Sequence, residues 1–360
     1  MTDAAGQYGW GGVRVEVRSE APGIPPWLDE FLLPWFAPEP LARECWTIEV
    51  RCSAEAAARS HGEPLGDIDV FSRDQGAERL AAWRTDGAVV LADARSPTRL
   101  SVRTAQRQVV VTIERDAARP RSLVMRLVRE ILCTHAAEEG WAMLHASAAA
   151  VGNSAAVFLG GKGSGKTTLL MRALVGGAGL VANDRVLARA GADGPRIHGC
   201  PTIVRIRPDT SARVPGLRGA DSGNAHRYYL TLAECRAECP LREPTDREPP
   251  SMSPAQFTEW TRAGRMTAAR PAALVFPRVC ADTRSFRLQP LGAQDALDLL
   301  SRCAIEPASN GLFSPVARGP NPTDVTALAD TVPSWLLELG PGAYGPEGAW
   351  DAVVRLLAAR

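Results

Sequence analysis

A glycine-rich segment that carries two lysines is the part of the sequence best suited to binding phosphate. Residues 160–167 read Gly-Gly-Lys-Gly-Ser-Gly-Lys-Thr and match the pattern G-x-x-x-x-G-K-[ST]. Glycines allow positive φ, so that successive backbone N–H groups can point at one anion, and a following helix adds the positive end of its dipole. The segment therefore predicts a nucleoside triphosphate site formed by Gly160, Gly161, Lys162, Gly163, Ser164, Gly165, Lys166, Thr167 and Thr168.

Lysine usage points to the same segment. Lys162 and Lys166 are the only lysines of the chain, and apart from the histidines every other basic residue is an arginine. A compact ammonium suits a phosphate cradle better than a planar guanidinium does. We expect Lys166 to contact the outer phosphates and Thr167 to offer its hydroxyl to Mg²⁺, a hard ion that takes oxygen ligands.

An acidic residue that could act on the outer phosphate follows soon after. Asp184 stands at the end of a short apolar strand, Leu180–Ala182, where an adjacent parallel strand would place it beside the loop. An aspartate there can bind magnesium or accept a proton from the substrate. The alternative interpretation is a turn residue that closes the strand, since Asn and Asp favour such turns.

The elements that must position these residues divide the chain into two predicted domains. Residues 1–120 are predicted to form a β-rich domain, suited to peptide recognition through a strand edge or a groove beside Trp27 and Trp35. Residues 121–360 are predicted to form an α/β nucleotide-binding domain with a mixed sheet. Within it, the Pro-, Glu-, Arg- and Ser-rich segment 236–270 is predicted to be mobile.

Periodicity gives the individual elements. The predicted strands are Val13–Val17, Trp46–Val50, Ile68–Phe71, Val89–Ala92, Leu100–Val102, Val109–Ile113, Ala142–Val151, Ala155–Leu159, Leu180–Ala182, Val186–Ala188, Ile203–Ile206 and Ala272–Phe276. The predicted helices are Trp27–Trp35, Arg121–Glu139, Lys166–Leu174, Ala293–Cys303 and Glu347–Ala358, with a helical turn or two in Pro254–Arg262.

Composition excludes some classes of protein. The formal net charge is +1, from 41 Lys+Arg against 40 Asp+Glu, so no excess of positive charge favours nucleic-acid binding. The N-terminus lacks a basic stretch followed by an apolar run, and no apolar run predicts a membrane span. The 8 scattered cysteines are interpreted as reduced thiols, which favours a cytoplasmic protein.

Four segments together resemble the catalytic domain of the HPr kinase/phosphorylase family. They are His145, Gly165-Lys166-Thr167, Asn183-Asp184-Arg185 and His198-Gly199-Cys200-Pro201, and their order and spacing match over about residues 143–208. That family shares its nucleotide fold with phosphoenolpyruvate carboxykinase, so the resemblance implies a P-loop kinase domain that uses ATP and Mg²⁺. The pattern is more similar still to the HPr-kinase-like proteins of peptide natural-product pathways, which phosphorylate a serine hydroxyl of a precursor peptide.

The resemblance also implies roles for individual residues. Lys166 and Thr167 would contact phosphate and magnesium, and Asp184 would match the second of two adjacent acids that serve magnesium and catalysis. His145 would match a histidine beside the reacting phosphate, although an imidazole on an apolar strand is also a common core group. Asn183 replaces the first acid, which is the catalytic base of the family, so Asp184 would have to serve both purposes. The loop with which that family engages HPr is not recognisable, and HPr is not the expected substrate.

Three arginines are candidate substrate contacts. Arg205 and Arg207 alternate along one predicted strand, where they would either bind a phosphate or an acidic acceptor, or face solvent. Arg227 resembles a basic position of the same kinase-like proteins.

The sequence thus predicts an ATP-dependent phosphotransferase that moves the γ-phosphate to a hydroxyl group, with a serine of a peptide or small protein as the expected acceptor. A kinase of a small hydroxylated metabolite is one alternative. A nucleotide-binding switch with little catalysis is another, and the Asn183 replacement is its main support. The loop residues themselves leave ATP and GTP open, and only the resemblance favours ATP.

Overall fold

The chain is an α/β protein that divides into two compact units, each with a mixed sheet. The structure is a computed structural model that describes residues 4–54, 62–70, 79–93, 97–206, 210, 214, 227–237, 251–305, 312–313, 325–345 and 348–358. Unit 1 comprises Met1–Gly140, Tyr229–Thr231 and Ile305–Pro322, and unit 2 comprises Trp141–Tyr228, Leu232–Ala304 and Thr323–Arg360. Among the described helices, none is both long and apolar enough to span a membrane.

Unit 1 is built on an eight-stranded sheet of order β1-β2-β3-β8-β7-β6-β5-β4. Its strands are β1 (Ala4–Trp10), β2 (Val13–Ser19), β3 (Glu44–Cys52), β4 (Glu63–Asp69), β5 (Arg79–Thr85), β6 (Ala88–Asp93), β7 (Thr98–Arg103) and β8 (Gln108–Ile113). Strand β3 is parallel to both of its neighbours, and the other pairs are antiparallel. Alternate residues such as Val13, Val15 and Val17 are buried, because successive side chains of a strand point to opposite faces of the sheet.

Two helices, α1 (Ile24–Leu32) and α2 (Ala118–Glu138), pack on β1 and β2. The units divide after Gly140 rather than after residue 120, because α2 buries its apolar stripe in unit 1. Trp27 and Trp35 are 1% and 2% exposed. Their rings are therefore part of the core of unit 1 and do not line an open groove.

Unit 2 contains a sheet of order β10-β9-β12-β13-β16-β18-β17, with β11 paired to β9 and an additional pairing of β10 with β16. The described strands of unit 2 are β9 (Ala142–Val151), β10 (Ser154–Leu159), β11 (Gly179–Ala182), β12 (Arg185–Gly191), β13 (Gly194–Cys200), β14 (Val204–Arg205), β15 (Ser251–Met252), β16 (Ala268–Val279), β17 (Phe286–Leu291) and β18 (Ser334–Leu339). Strands β14 and β15 form a separate two-stranded sheet. Its described helices are α3 (Lys166–Val175), α4 (Leu232–Ala237), α5 (Pro254–Thr261), α6 (Ala293–Ser301), α7 (Thr326–Thr331) and α8 (Ala349–Ala358).

The strand pairings explain why the site residues lie close together. Strands β9 and β10 form the predicted hairpin, and β11 pairs with β9 on its other side. Because β10 and β11 are both antiparallel to β9, they run in the same direction on opposite sides of it. Strand β10 ends opposite Ala146, and on the other side of β9 the bend between β11 and β12 lies opposite the same residue. The prediction that a parallel strand adjacent to β10 carries Asp184 is therefore wrong in detail, since β9 lies between them.

Residues 251–270 contain regular secondary structure, whereas the sequence predicts a mobile segment over 236–270. Helix α5 begins with a capping box, in which Ser253 accepts from the Gln256 backbone and the Gln256 side chain accepts from the Ser253 backbone. Phe257 is fully buried. The capping box and the buried aromatic ring stabilise a segment whose composition alone favours disorder. Residues 238–250 lie outside the described part of the chain.

Candidate nucleotide site

The glycine-rich loop connects the end of β10 to the start of α3, as predicted. Gly160, Gly163 and Gly165 have φ values of +144°, +84° and +105°, which L side chains rarely adopt. A Cβ atom added to Gly161 or Gly163 would meet no atom within 4 Å. The loop is therefore tightly folded along its backbone and open at these two positions, where a ligand can approach the main chain.

Lys166 is the most buried cation of the loop, with 7% of its surface exposed. Its Nζ donates to the carbonyl oxygen of Gly160 and to that of Gly161 at 3.1 Å. Burial lowers the pKa of the Lys166 ammonium, while the Asp184 carboxylate and then the Cys303 thiol act in the opposite direction. The ammonium thus lies against the loop backbone and within electrostatic reach of Asp184.

One buried polar atom of the loop indicates how well a phosphate fits. Among the described residues, the Ser164 hydroxyl oxygen has no hydrogen-bond partner although it is buried. Such an orphaned group costs about 1–3 kcal/mol, and a phosphate oxygen would satisfy it. Together with the open glycines and Lys166, this residue set fits a polyphosphate chain. Thr167, in the first turn of α3, and Asp184 could supply the oxygen ligands of a magnesium ion that otherwise keeps water and phosphate.

Asp184 and His145 lie on neighbouring segments of the sheet. Asp184 lies in the bend between β11 and β12, which pair with β9 one after the other, and its carbonyl oxygen accepts from the Ala146 N–H at 3.0 Å. The His145 Nδ1 lies 3.7 Å from the Asp184 Oδ1. Their side chains are 28% and 37% exposed, so both groups remain accessible to a substrate. The structure therefore brings together three of the four predicted catalytic residues: Lys166, Asp184 and His145.

Asn183, the fourth predicted catalytic residue, has its side chain engaged elsewhere. Its Nδ2 donates to the Thr202 Oγ1 at 2.7 Å, and its Oδ1 accepts from the Thr202 N–H at 3.4 Å. The Ser147 hydroxyl donates to the Asn183 carbonyl at 2.7 Å. Both Asn183 and Thr202 are buried. The Asn183 amide therefore connects the chain after β13 to the bend that carries Asp184.

Replacing Asn183 with aspartate tests whether this position limits the chemistry. Because Thr202 can donate both hydrogen bonds to a carboxylate, we expect Asn183→Asp to fold, with a loss of about 1–3 kcal/mol of stability from the buried charge. Since the side chain faces Thr202, phosphate transfer per folded molecule should not increase. Transfer assays on folded protein, with urea unfolding to measure stability, check both parts. A rate increase of about tenfold or more would show that position 183 supplies a base.

Cys303 is a member of the site that the sequence did not predict. Its carbonyl oxygen accepts from the His145 N–H at 2.7 Å, and its thiol is hydrogen-bonded by the Gly160 backbone. Burial raises the pKa of this thiol, an effect that the nearby Lys166 charge opposes. No motif signals this residue, because its place beside the loop arises only from the packing of the chain after α6.

Two of the three predicted arginine contacts, Arg205 and Arg227, lie in the described part of the chain. Arg205 is exposed on β14, which pairs with β15 in a separate two-stranded sheet. The Arg227 carbonyl accepts from Gln256 Nε2 at 3.0 Å, next to the cap of α5. Arg207 lies outside the described residues, so the proposed alternation with Arg205 stays a prediction.

Two glycine substitutions test the loop geometry. Gly163→Ala and Gly165→Ala should each lose about 1 kcal/mol or more of stability, because both φ values are positive. Gly165→Ala should lose more, since its Cβ would lie 2.8 Å from the buried Leu339 side chain and 3.2 Å from the Tyr344 hydroxyl. Urea unfolding of the two variants without nucleotide measures the difference. Equal losses would contradict the tight contact at Gly165.

The fold and the site define an α/β protein with a glycine-rich loop between a strand and a helix. Comparison with known proteins places it no further, because no protein-family model matches the chain and a search of curated proteins finds no match.

Proposed function

We propose that the chain is an ATP-dependent phosphotransferase that moves the γ-phosphate of ATP to a hydroxyl group, with a serine of a peptide or small protein as the acceptor. One observation carries this proposal: the Asp184 Oδ1 lies 3.7 Å from the His145 Nδ1, and the Asp184 carboxylate is within electrostatic reach of Lys166, which begins α3. Binding a triphosphate requires only the loop, whereas phosphate transfer also requires an acid beside the loop.

The proposed reaction assigns a task to each group. Lys166, Ser164 and the loop N–H groups hold the phosphates, while Thr167 and Asp184 would hold Mg²⁺, which neutralises developing charge when bound. The acceptor oxygen forms a bond to the γ-phosphorus, the bond from that phosphorus to the bridging oxygen breaks, and ADP leaves. The hydroxyl proton passes to Asp184. The His145 imidazole lies near enough to orient the Asp184 carboxylate or to share that proton.

The sequence pattern supports the same chemistry. The segments around His145, Lys166 and Asp184 resemble those of HPr-kinase-like serine kinases, and these three segments lie next to one another where β10 ends beside β9. The choice of a serine acceptor rests on that resemblance alone. A small hydroxylated metabolite would use the same groups.

Transfer of labelled γ-phosphate identifies the acceptor class. The protein is incubated with γ-labelled ATP and Mg²⁺, together with serine-containing peptides or hydroxylated metabolites, and mass spectrometry locates the phosphate. We expect a phosphoserine product that requires the wild-type loop. Phosphate on a metabolite would replace the peptide acceptor with a small molecule, and tight ATP binding without transfer to any acceptor would remove the kinase proposal.

A nucleotide-binding switch is the second candidate, and the Asn183 geometry favours it. With the Asn183 amide engaged by Thr202, Asp184 is the one carboxylate that the described residues place beside Lys166. A site with one acid can hold a nucleotide and its metal while transferring phosphate slowly. ATP binding that changes the protein's protease sensitivity, without phosphate transfer, would support the switch.

A further inference from the structure

The two flanks of the loop differ in chemistry. Strand β10, which leads into the loop, pairs with β9 along one edge and with β16 along the other. His145 lies on β9, and Asp184 lies between β11 and β12, which both pair with β9. If these groups act on the γ-phosphate, then the rest of the nucleotide extends along the loop toward the opposite flank.

That opposite flank is formed by the ends of parallel strands. Strand β16 is parallel to β10 and to β18, so all three end at the edge that carries the loop. In the final register pair Val279 of β16 lies beside Leu339 of β18. Ligands of α/β sheets bind outside the carboxyl ends of such strands.

Val279 is an apolar group exposed at this flank. Its surface is 51% exposed, whereas Leu339 and Tyr344 beside it are buried. A Cβ atom added to Gly165 would lie 4.0 Å from the Val279 Cγ2 and 3.2 Å from the Tyr344 hydroxyl, so this apolar surface adjoins the last glycine of the loop. Val279 is one of only three large apolar residues that are exposed in the described part of the chain.

We propose that Val279 is the surface on which the nucleoside of the bound nucleotide packs, at the flank of the loop opposite His145 and Asp184. The inference rests on the proposed function, which supplies the direction of the triphosphate. A purine base has an apolar face, and covering Val279 removes apolar surface from water. The phosphates would then be held by charge and hydrogen bonds, and the nucleoside by apolar contact.

Inorganic tripolyphosphate lacks the nucleoside, so comparing its affinity with that of ATP separates the contribution of the phosphates from that of the nucleoside. The test measures the affinity of the full chain for ATP and for tripolyphosphate, both with Mg²⁺, by titration calorimetry. In Val279→Asn and Val279→Ala we expect about three- to tenfold weaker ATP binding, from the loss of apolar contact. Tripolyphosphate affinity should stay within about twofold, because an uncharged surface substitution leaves the loop intact.

The chain offers a matched control in Val151→Asn. Val151 is 46% exposed and ends β9 at the hairpin turn, at the edge of the sheet away from the loop. This variant should bind both ligands as the wild type does.

The outcomes separate this inference from the function on which it rests. Selective loss of ATP affinity in the Val279 variants supports the packing surface. Unchanged ATP affinity, or equal loss for ATP and tripolyphosphate, overturns it while the phosphate site stands. If the wild type binds neither ligand, the proposed function fails and the inference fails with it.

Discussion

Lys166→Ala is expected to weaken ATP binding by roughly 30- to 100-fold and to reduce phosphate transfer below detection. The Lys166 ammonium is buried against the carbonyls of Gly160 and Gly161 and lies near the Asp184 carboxylate. A charged donor in this position is worth far more to an anion than a solvated one. Titration calorimetry with ATP and Mg²⁺ measures the affinity, and γ-labelled ATP measures the transfer.

The only other lysine of the chain provides the control. Lys162 is in the same loop but is exposed to solvent. Because solvent screens an exposed charge, Lys162→Ala should weaken ATP binding by about threefold or less. Equal losses in the two variants would show that the loop attracts phosphate only through its overall charge, and would remove the specific role of Lys166.

Asp184→Asn is expected to lower the rate of phosphate transfer by about 100-fold or more while ATP affinity stays within about fivefold. The amide keeps the size of the carboxylate but accepts no proton and binds magnesium weakly. Removing this charge also takes away an anion near Lys166, so the attraction of the loop for phosphate should persist. Transfer rates at increasing Mg²⁺ separate the two roles, since a metal ligand alone would be partly rescued by more Mg²⁺.

An acid at the far end of β12 is the matched control for this substitution. Asp193 lies in the turn between β12 and β13, and its side chain is 81% exposed. Asp193→Asn should leave both transfer and ATP affinity unchanged. An Asp184→Asn protein that transfers phosphate at the wild-type rate would sink the assignment of Asp184.

Much of what positions the loop was predictable because its signals are local. The hairpin of β9 and β10 follows from two apolar runs around Gly152-Asn153, and α3 follows from the helical pattern after Lys166. Both predictions are confirmed. Short-range patterns of this kind are set by backbone preferences and side-chain alternation within one segment.

The arrangement of distant segments was less predictable. Asp184 follows β11 as predicted, but β9 separates β11 from β10, and no pattern within either strand encodes that order. Strand β17 has no buried residue and contains Pro290, a residue that disfavours a strand interior. It is held at the edge of the sheet by pairing with β18. Pairing partners of this kind are chosen by tertiary packing.

The contacts within the site were also only partly predictable from the sequence. The loop, Asp184 and His145 were predicted from motifs, whereas Cys303 reaches the Gly160 backbone only because the chain after α6 returns to β9. The role of Asn183 changed for a similar reason, since its partner Thr202 belongs to the segment after β13. In both cases the deciding contact joins segments that are distant in the sequence.

Titration of the wild-type chain with ATP, with and without Mg²⁺, shows whether residues 160–168 form a triphosphate site. We expect saturable binding at one site, competition by tripolyphosphate and tighter binding with Mg²⁺. A folded wild-type protein that binds neither ATP nor tripolyphosphate would show that these residues form no such site.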